Sequence, residues 1–333
     1  MSDGTMTRTE LQDAARKAFG ANGLSPDAAA SRELMAEMGW LMMAVPEDKG
    51  GLGLGCEAVG VIHLELGRAL VPGAAIAQMM VVEALAGGEA DGLDDLLAAA
   101  MGGEAMTASL AGPARAGGDA RTVACVPDAD RAAHLLLIAP GRLSLAPIAD
   151  ADIAARDTWD KSRRLFDVTV ADGVTGVTIA EGPAADALAE RVQGLMLLSL
   201  AADSLGGAEA ALAMTIDYLK TRRQFDRPLA LFQALKHRCA DMRTWLTAAD
   251  ALFWSRTADD RADLASTGAL KAHVATVYRA IAEEAIQLHG GIGLTMEHPC
   301  HLFLKRAMLN CALGGDADHW EELAGRRLVA TLG

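Results

Sequence analysis

Residues 218–242 read YLKTRRQFDRPLALFQALKHRCADM, and the proline in them limits the fold more than any other feature. Inside a helix Pro228 would delete one hydrogen bond and push its ring against the carbonyl one turn back. The pattern therefore predicts a helix ending near Thr221, a turn at Asp226-Arg227-Pro228 and a second helix restarting near Phe232. So short a turn makes the two helices antiparallel neighbours and leaves Arg222, Arg223 and Phe225 at their junction. Two guanidiniums that stay charged, beside an aromatic ring, suit a flat ligand carrying phosphates. Arginines at a helix C-terminus are also favoured by the helix dipole in open solvent, so spacing alone leaves both readings standing.

What surrounds this break is aliphatic. Hydrophobic residues make up 51% of the 333-residue chain while aromatic ones make up only 4%, which points to helices packed through Ala, Leu and Met faces. A net charge of −14 with no basic run excludes a nucleic-acid or anionic-membrane surface as the expected partner. The five cysteines (Cys56, Cys125, Cys239, Cys300, Cys311) show no CxxC pair and no Cys/His ligand spacing, so no metal is expected. Reduced thiols and an N-terminus without an apolar signal core give a cytoplasmic expectation. The most apolar run, 195–214, carries Asp203, Glu209 and a Gly pair, and reads as a buried bundle helix, not a membrane span.

Along the chain, residues 10–102 follow a helical period, with Ser25-Pro26-Asp27 as an N-cap and first-turn proline, and helices over 27–38, 57–68 and 75–86. The glycine-rich loop at 44–53 follows no strand and lacks the Lys-Ser/Thr of a P-loop, so it reads as a structural turn. Short β-type runs follow at 106–110, 122–125, 134–138, 143–147 and 166–170. Helical periodicity returns over 184–221, 230–256, 266–288 and 301–313. The expected fold is mainly α with a small β domain: helices in 1–102, a barrel-like β region in 103–183 and a four-helix bundle in 184–333.

After the third long helix comes Gln287-Leu288-His289-Gly290-Gly291-Ile292-Gly293. A Gly pair there gives left-handed backbone and lets main-chain N–H groups approach a ligand, though Gly290 alone is equally a helix C-cap. With WLMMAVPEDKGGLGLG and HLELGRAL near the start, and RRQFDRPLALFQALKHRCADM and QLHGGIGLTMEHPCHLFLKRA near the end, the chain resembles the acyl-CoA dehydrogenase family over nearly its whole length. The resemblance implies the helical–β–helical acyl-CoA dehydrogenase-like subunit, an oligomer, bound FAD, an acyl-CoA substrate and an electron-transfer flavoprotein as acceptor. It also implies that Arg222, Phe225, Gln287, Gly290 and Gly291 reach across a subunit interface to FAD held mainly by the neighbour.

Two departures from the family matter. Its reaction needs a carboxylate to take a weakly acidic α-proton, and the stretch matching the family's base segment is Leu313-Gly314-Gly315-Asp316-Ala317-Asp318, with Gly314 at the base position. The position used by other members falls near Met196. Asp203, Asp316 and Asp318 are nearby carboxylates, the last two read as exposed acids near a helix start. The β region lacks the family's flavin-wrapping segments between Gly103 and Leu136, with a glycine-rich stretch, residues 112–119, in their place. Contacts to a flavin of its own are thus degraded, while those reaching a neighbour's flavin are intact. The expectation is a subunit that completes the FAD site of a sister acyl-CoA dehydrogenase subunit in a heterotetramer, on a fatty or bulky steroid-side-chain thioester, without contributing a base. A self-sufficient homo-oligomeric flavoprotein (with a displaced Asp base, or a monooxygenase) and a non-catalytic assembly protein are the alternatives. His237 and His289 receive no catalytic role. Met35, Met38, Met42, Met43, Met79 and Met80 read as pliable core or acyl-pocket lining. Trp245 and Trp254 are expected inside the bundle, and Asp160-Lys161-Ser162-Arg163-Arg164 is expected as a solvated turn with a weaker CoA-phosphate reading.

Overall fold

The computed structural model describes residues 7–21, 23–111, 122–170, 176–258 and 263–332. The first helix, α1 (Arg8–Gly20), opens on a reciprocal cap in which the Thr7 side chain accepts from the Glu10 amide and the Glu10 carboxylate accepts from the Thr7 amide. In α2 (Ala28–Glu37) the cap is Asp27, which accepts from the Ala30 amide at 2.9 Å; Ser25 lies outside the helix with φ 53°, so the expected Ser25-Pro26 start is off by two residues. Then come α3 (Gly55–Arg68), α4 (Ala75–Gly87) and α5 (Asp94–Met101). The glycine loop before α3 is a structural turn: Gly50 and Gly53 have positive φ, and Lys49 donates to the carbonyls of Ala86 and Gly88 at the end of α4.

Among the described residues seven strands follow: β1 (Met106–Ala108), β2 (Thr122–Pro127), β3 (His134–Ala139), β4 (Arg142–Pro147), β5 (Asp152–Arg156), β6 (Leu165–Thr169) and β7 (Val177–Glu181). They form two sheets, β1-β3-β4-β7 with only the β1–β3 pair parallel, and β2-β6-β5, antiparallel throughout. Val126, Leu135, Ile148, Phe166 and Val168 fill the space between the sheets. Neither β5 nor β7 is expected from sequence: β5 is mostly exposed, and β7 has one fully buried residue, Ile179. Gln78 of α4 ties the helices to this region, donating to Ala100 and Glu104 carbonyls and accepting from the Met106 amide.

The remaining helices are α6 (Gly182–Thr221), α7 (Gln233–Thr257), α8 (Leu264–His289), α9 (Cys300–Ala312) and α10 (Ala317–Leu332). At 40 residues α6 is about 60 Å long and packs against α3, α4, α7, α8 and α9. It is long and apolar enough to cross a membrane, yet 89% of its most apolar window is buried inside the fold. Over that window the helix is covered on nearly all sides and is apolar nearly all round, while its first turns carry the exposed Asp186 and Glu190. Its Gly pair lets other atoms come close: a Cβ on Gly206 would fall on the Leu64 carbonyl of α3, and one on Gly207 on the Tyr278 ring of α8.

Three expectations about side chains need correction. Trp245 is 43% exposed, whereas Trp254 is half-buried against the core beside Phe253, donating to Asp250 with the Arg8 guanidinium 4.5 Å from its ring. Met35, Met43, Met79 and Met80 are core, but Met38 is 45% exposed. Asp160 and Arg163 are not solvated; both are almost fully buried.

Candidate functional site

The connection from α6 to α7 is a small hairpin. After Arg222 caps α6, β8 (Arg223–Gln224) pairs antiparallel with β9 (Arg227–Pro228). The corners are Phe225 and Asp226, with φ 52° and 61°, the left-handed pair of a type I′ turn. The turn thus lies one to two residues before the expected Asp226-Arg227-Pro228, and Pro228 ends the second strand. Phe225 stands 84% exposed at the tip, its ring 6.0 Å edge-on from Phe232, over which the Arg227 guanidinium lies at 4.1 Å. Arg222 is exposed.

The second motif ends α8. Gly290, with φ 66°, terminates the helix, and Gln287, Gly290 and Gly291 are exposed. A Cβ on either glycine would meet nothing within 4 Å, so a ligand can approach the bare main chain there. Tyr218, one turn before Arg222, brings the motifs together. Its ring stacks on His289 at 4.4 Å and its hydroxyl donates to the His289 carbonyl at 3.3 Å. The arginine, the exposed ring, the glutamine amide and the open glycines therefore share one end of the bundle. This donor set fits the pyrophosphate and flat rings of FAD: cationic and amide donors with unhindered backbone.

The base position is different in kind. Gly314 is buried, with φ 68°; its amide donates to the Leu110 carbonyl and its own carbonyl accepts from the Trp320 indole at 2.8 Å. A Cβ there would stand 2.9 Å from Leu200, 3.0 Å from Leu197 and 3.5 Å from Met196. Gly314 and Met196, at and near the two base positions expected from the resemblance, thus meet in one aliphatic contact. Lys271, fully buried, holds the loop by donating to the carbonyls of Cys311 and Gly315, and burial lowers its pKa to about 8.

The alternative carboxylates are committed elsewhere. Asp203, 1% exposed, accepts from Arg163 at 2.8 Å, Arg306 at 3.0 Å and Asn310 at 2.7 Å. Burial opposes its charge, but the two guanidiniums outweigh burial and hold its pKa below the usual carboxylate range. It is an anchor for arginines and a poor proton acceptor. Asp316 is exposed and accepts from the His319 amide at the start of α10; Asp318 is exposed in the first turn. His237 is exposed on α7. The glycine-rich stretch 112–119 lies outside the described residues.

Sequence reading missed two clusters. Asp160, Arg163, Asp203 and Arg306 form a buried ion group joining the β5–β6 connection to α6 and α9. His289, His298 and Cys300 also converge, although only a His-x8-His-x-Cys spacing over twelve residues could have signalled it.

Comparison with known proteins agrees with this fold. Residues 5–100 match the family described as "Acyl-CoA dehydrogenase, N-terminal domain", and residues 195–329 match "Acyl-CoA dehydrogenase, C-terminal domain". Over 276 residues the chain is 33% identical to acyl-CoA dehydrogenase IpdE2 of Mycobacterium tuberculosis, covering 83% of this chain and 79% of that protein. It is similar to the solved Tcur3481–Tcur3483 steroid ACAD, with a TM-score of 0.83, 27% identity and 98% coverage of both chains. Butyryl-CoA dehydrogenase of Megasphaera elsdenii, at TM-score 0.84 and 18% identity over 98% of this chain and 100% of that one, shares the fold.

Proposed function

The chain belongs to the acyl-CoA dehydrogenase family, whose members are FAD-dependent oxidoreductases, and we propose that it is the base-lacking subunit of a heteromeric acyl-CoA dehydrogenase. In that role it completes a flavin site seated mainly in a sister subunit that keeps the catalytic glutamate. FAD bound there would supply the acceptor for a hydride from the β-carbon of the thioester, and the sister's carboxylate would take the α-proton. From this chain, Arg222 would pair with the pyrophosphate, the Gln287 amide would donate to it, the amides at Gly290 and Gly291 would approach it, and the Phe225 ring would lie against the nucleotide.

The observation that carries the proposal is the aliphatic contact at Gly314. Leu197, Leu200 and Met196 occupy the space that a base's side chain would need, and Asp203 and Asp316 are held by other partners. A displaced Asp base in a self-sufficient enzyme finds no support in that arrangement. One name supports a bulky acyl group and a paired assembly: the similar solved enzyme is named as a steroid ACAD with two joined designations. Electron-transfer flavoprotein is the proposed acceptor, and the cytoplasm the proposed compartment.

Co-expression with a glutamate-bearing sister tests this. A complex with about one FAD per pair of unlike chains is expected, and it should desaturate acyl-CoA. A yellow homo-oligomer of this chain, turning over acyl-CoA with one flavin per chain, would overturn it.

A further inference from the structure

The loop after α8 carries more chemistry than contact with a nucleotide requires. His289 ends α8, His298 lies in the connection and Cys300 begins α9, and a ligand-capable atom of each lies within 4.8 Å of the other two. His289 is only 3% exposed. Its Nδ1–H donates to the Ala285 carbonyl at 2.7 Å, which leaves the Nε2 lone pair pointing into the fold without a hydrogen-bond partner. A buried polar atom left so costs about 1–3 kcal/mol. A carbonyl on one ring nitrogen, with the other nitrogen offered, is also how proteins orient a histidine toward a metal. Cys300 is fully buried, with Sγ 3.5 Å from His289 Nδ1, and burial pushes its thiol up to about 12. The His298 ring, 4.4 Å from that of His289, is partly exposed and gives the cluster its opening to solvent.

We infer that His289, His298 and Cys300 form a binding site for a zinc-class divalent cation that clamps the end of α8 to the start of α9. Two imidazoles and a thiolate are the donor set such borderline-soft ions prefer. On binding, the Cys300 S–H bond breaks and a sulfur–metal bond forms. The proton leaves to solvent past His298, two neutral imidazoles give lone pairs, and no electron is transferred. Tetrahedral zinc holds such donors roughly 3.3–3.8 Å apart, so the cluster must contract by about 1 Å. His298 can move to allow this, since its ring is partly exposed and its Nδ1 accepts a long, 3.3 Å hydrogen bond from the Cys300 amide. The clamp would also fix the His289 carbonyl that Tyr218 reaches and the Gly290 beside it, and this holds whichever subunit seats a flavin.

The full chain, stripped with chelator, reloaded with Zn2+ or Co2+ and desalted, tests the inference. About one metal per chain should be retained, with a thiolate-to-cobalt charge-transfer band in the near ultraviolet. Cys300→Ala should abolish that band, and His298→Ala should weaken binding roughly tenfold or more. Should Cys300→Ala fail to fold, Cys300→Ser, with its fold checked by circular dichroism, serves for the same readout. Wild-type protein that keeps no stoichiometric metal, or a Cys300 variant with unchanged metal content and spectrum, overturns it.

Discussion

His63 lies wholly inside the fold; its Nδ1–H donates to the Val59 carbonyl at 3.0 Å and its Nε2 has no partner. Burial lowers its pKa from 6.5 to about 4. The folded chain therefore binds fewer protons than the unfolded chain between those values, so its contribution is whole above pH 6.5 and falls away as pH drops toward 4. The loss reaches about 3 kcal/mol at the low end. Urea unfolding across that window should show His63→Gln losing less stability than wild type on acidification; equal slopes would refute this. At Gly314, backbone handedness and a crowded Cβ position act together. Gly314→Glu is expected to cost about 2–4 kcal/mol and to gain no dehydrogenase activity, measured by melting temperature and turnover. That a glycine stands at the position matched to the family's base was legible in sequence. The aliphatic contact there was not, because Leu197 and Leu200 lie more than a hundred residues away and read only as helix core.

At the scale of elements, the long helices were legible because aliphatic residues recur at helix spacing and Pro228 bars α6 from running on into α7. The hairpin was not. Strands of two residues have no periodicity to read, and Phe225-Asp226 is not the Asn-Gly or Asp-Gly that announces a type I′ turn. Strand β5 was missed for a related reason: Asp152–Arg156 contains one strong β-former and gains its register from β6. The hairpin yields a test. With Asp226 at φ 61°, Asp226→Gly should stabilise the chain by up to about 1 kcal/mol. Phe225→Ala, at a side chain 84% exposed, should leave the unfolding midpoint within about 0.5 kcal/mol. Equilibrium unfolding distinguishes these outcomes.

Across the whole molecule, the buried ions link parts distant in sequence. Arg306 donates to Asp160, 146 positions earlier, to Asp203 and to the Val71 carbonyl. A charge run such as 160–164 is usually solvated, and only the assembled fold shows that Asp160 and Arg163 turn inward to partners on α6 and α9. Removing one member strands the others: Asp203→Ala should cost about 3–5 kcal/mol, read from the shift in urea midpoint, and a loss below about 1 kcal/mol would mean the cluster is not a shared anchor. The proposed flavin-reaching surface, by contrast, came from the family resemblance and not from spacing, which left Arg222 and Gly290 equally open to a helix-end reading; the structure adds that Arg222, Phe225, Gln287, Gly290 and Gly291 are all exposed. The central claim is that this surface serves a neighbour's nucleotide. Its most direct test is Arg222→Ala with Gln287→Ala, made in this chain alone within a complex with a glutamate-bearing sister. The assembly should stay intact by gel filtration, while its affinity for FAD falls roughly tenfold to a hundredfold through lost charge-assisted and amide contacts. A complex that keeps its full flavin absorbance and unchanged FAD affinity with both side chains removed would contradict it.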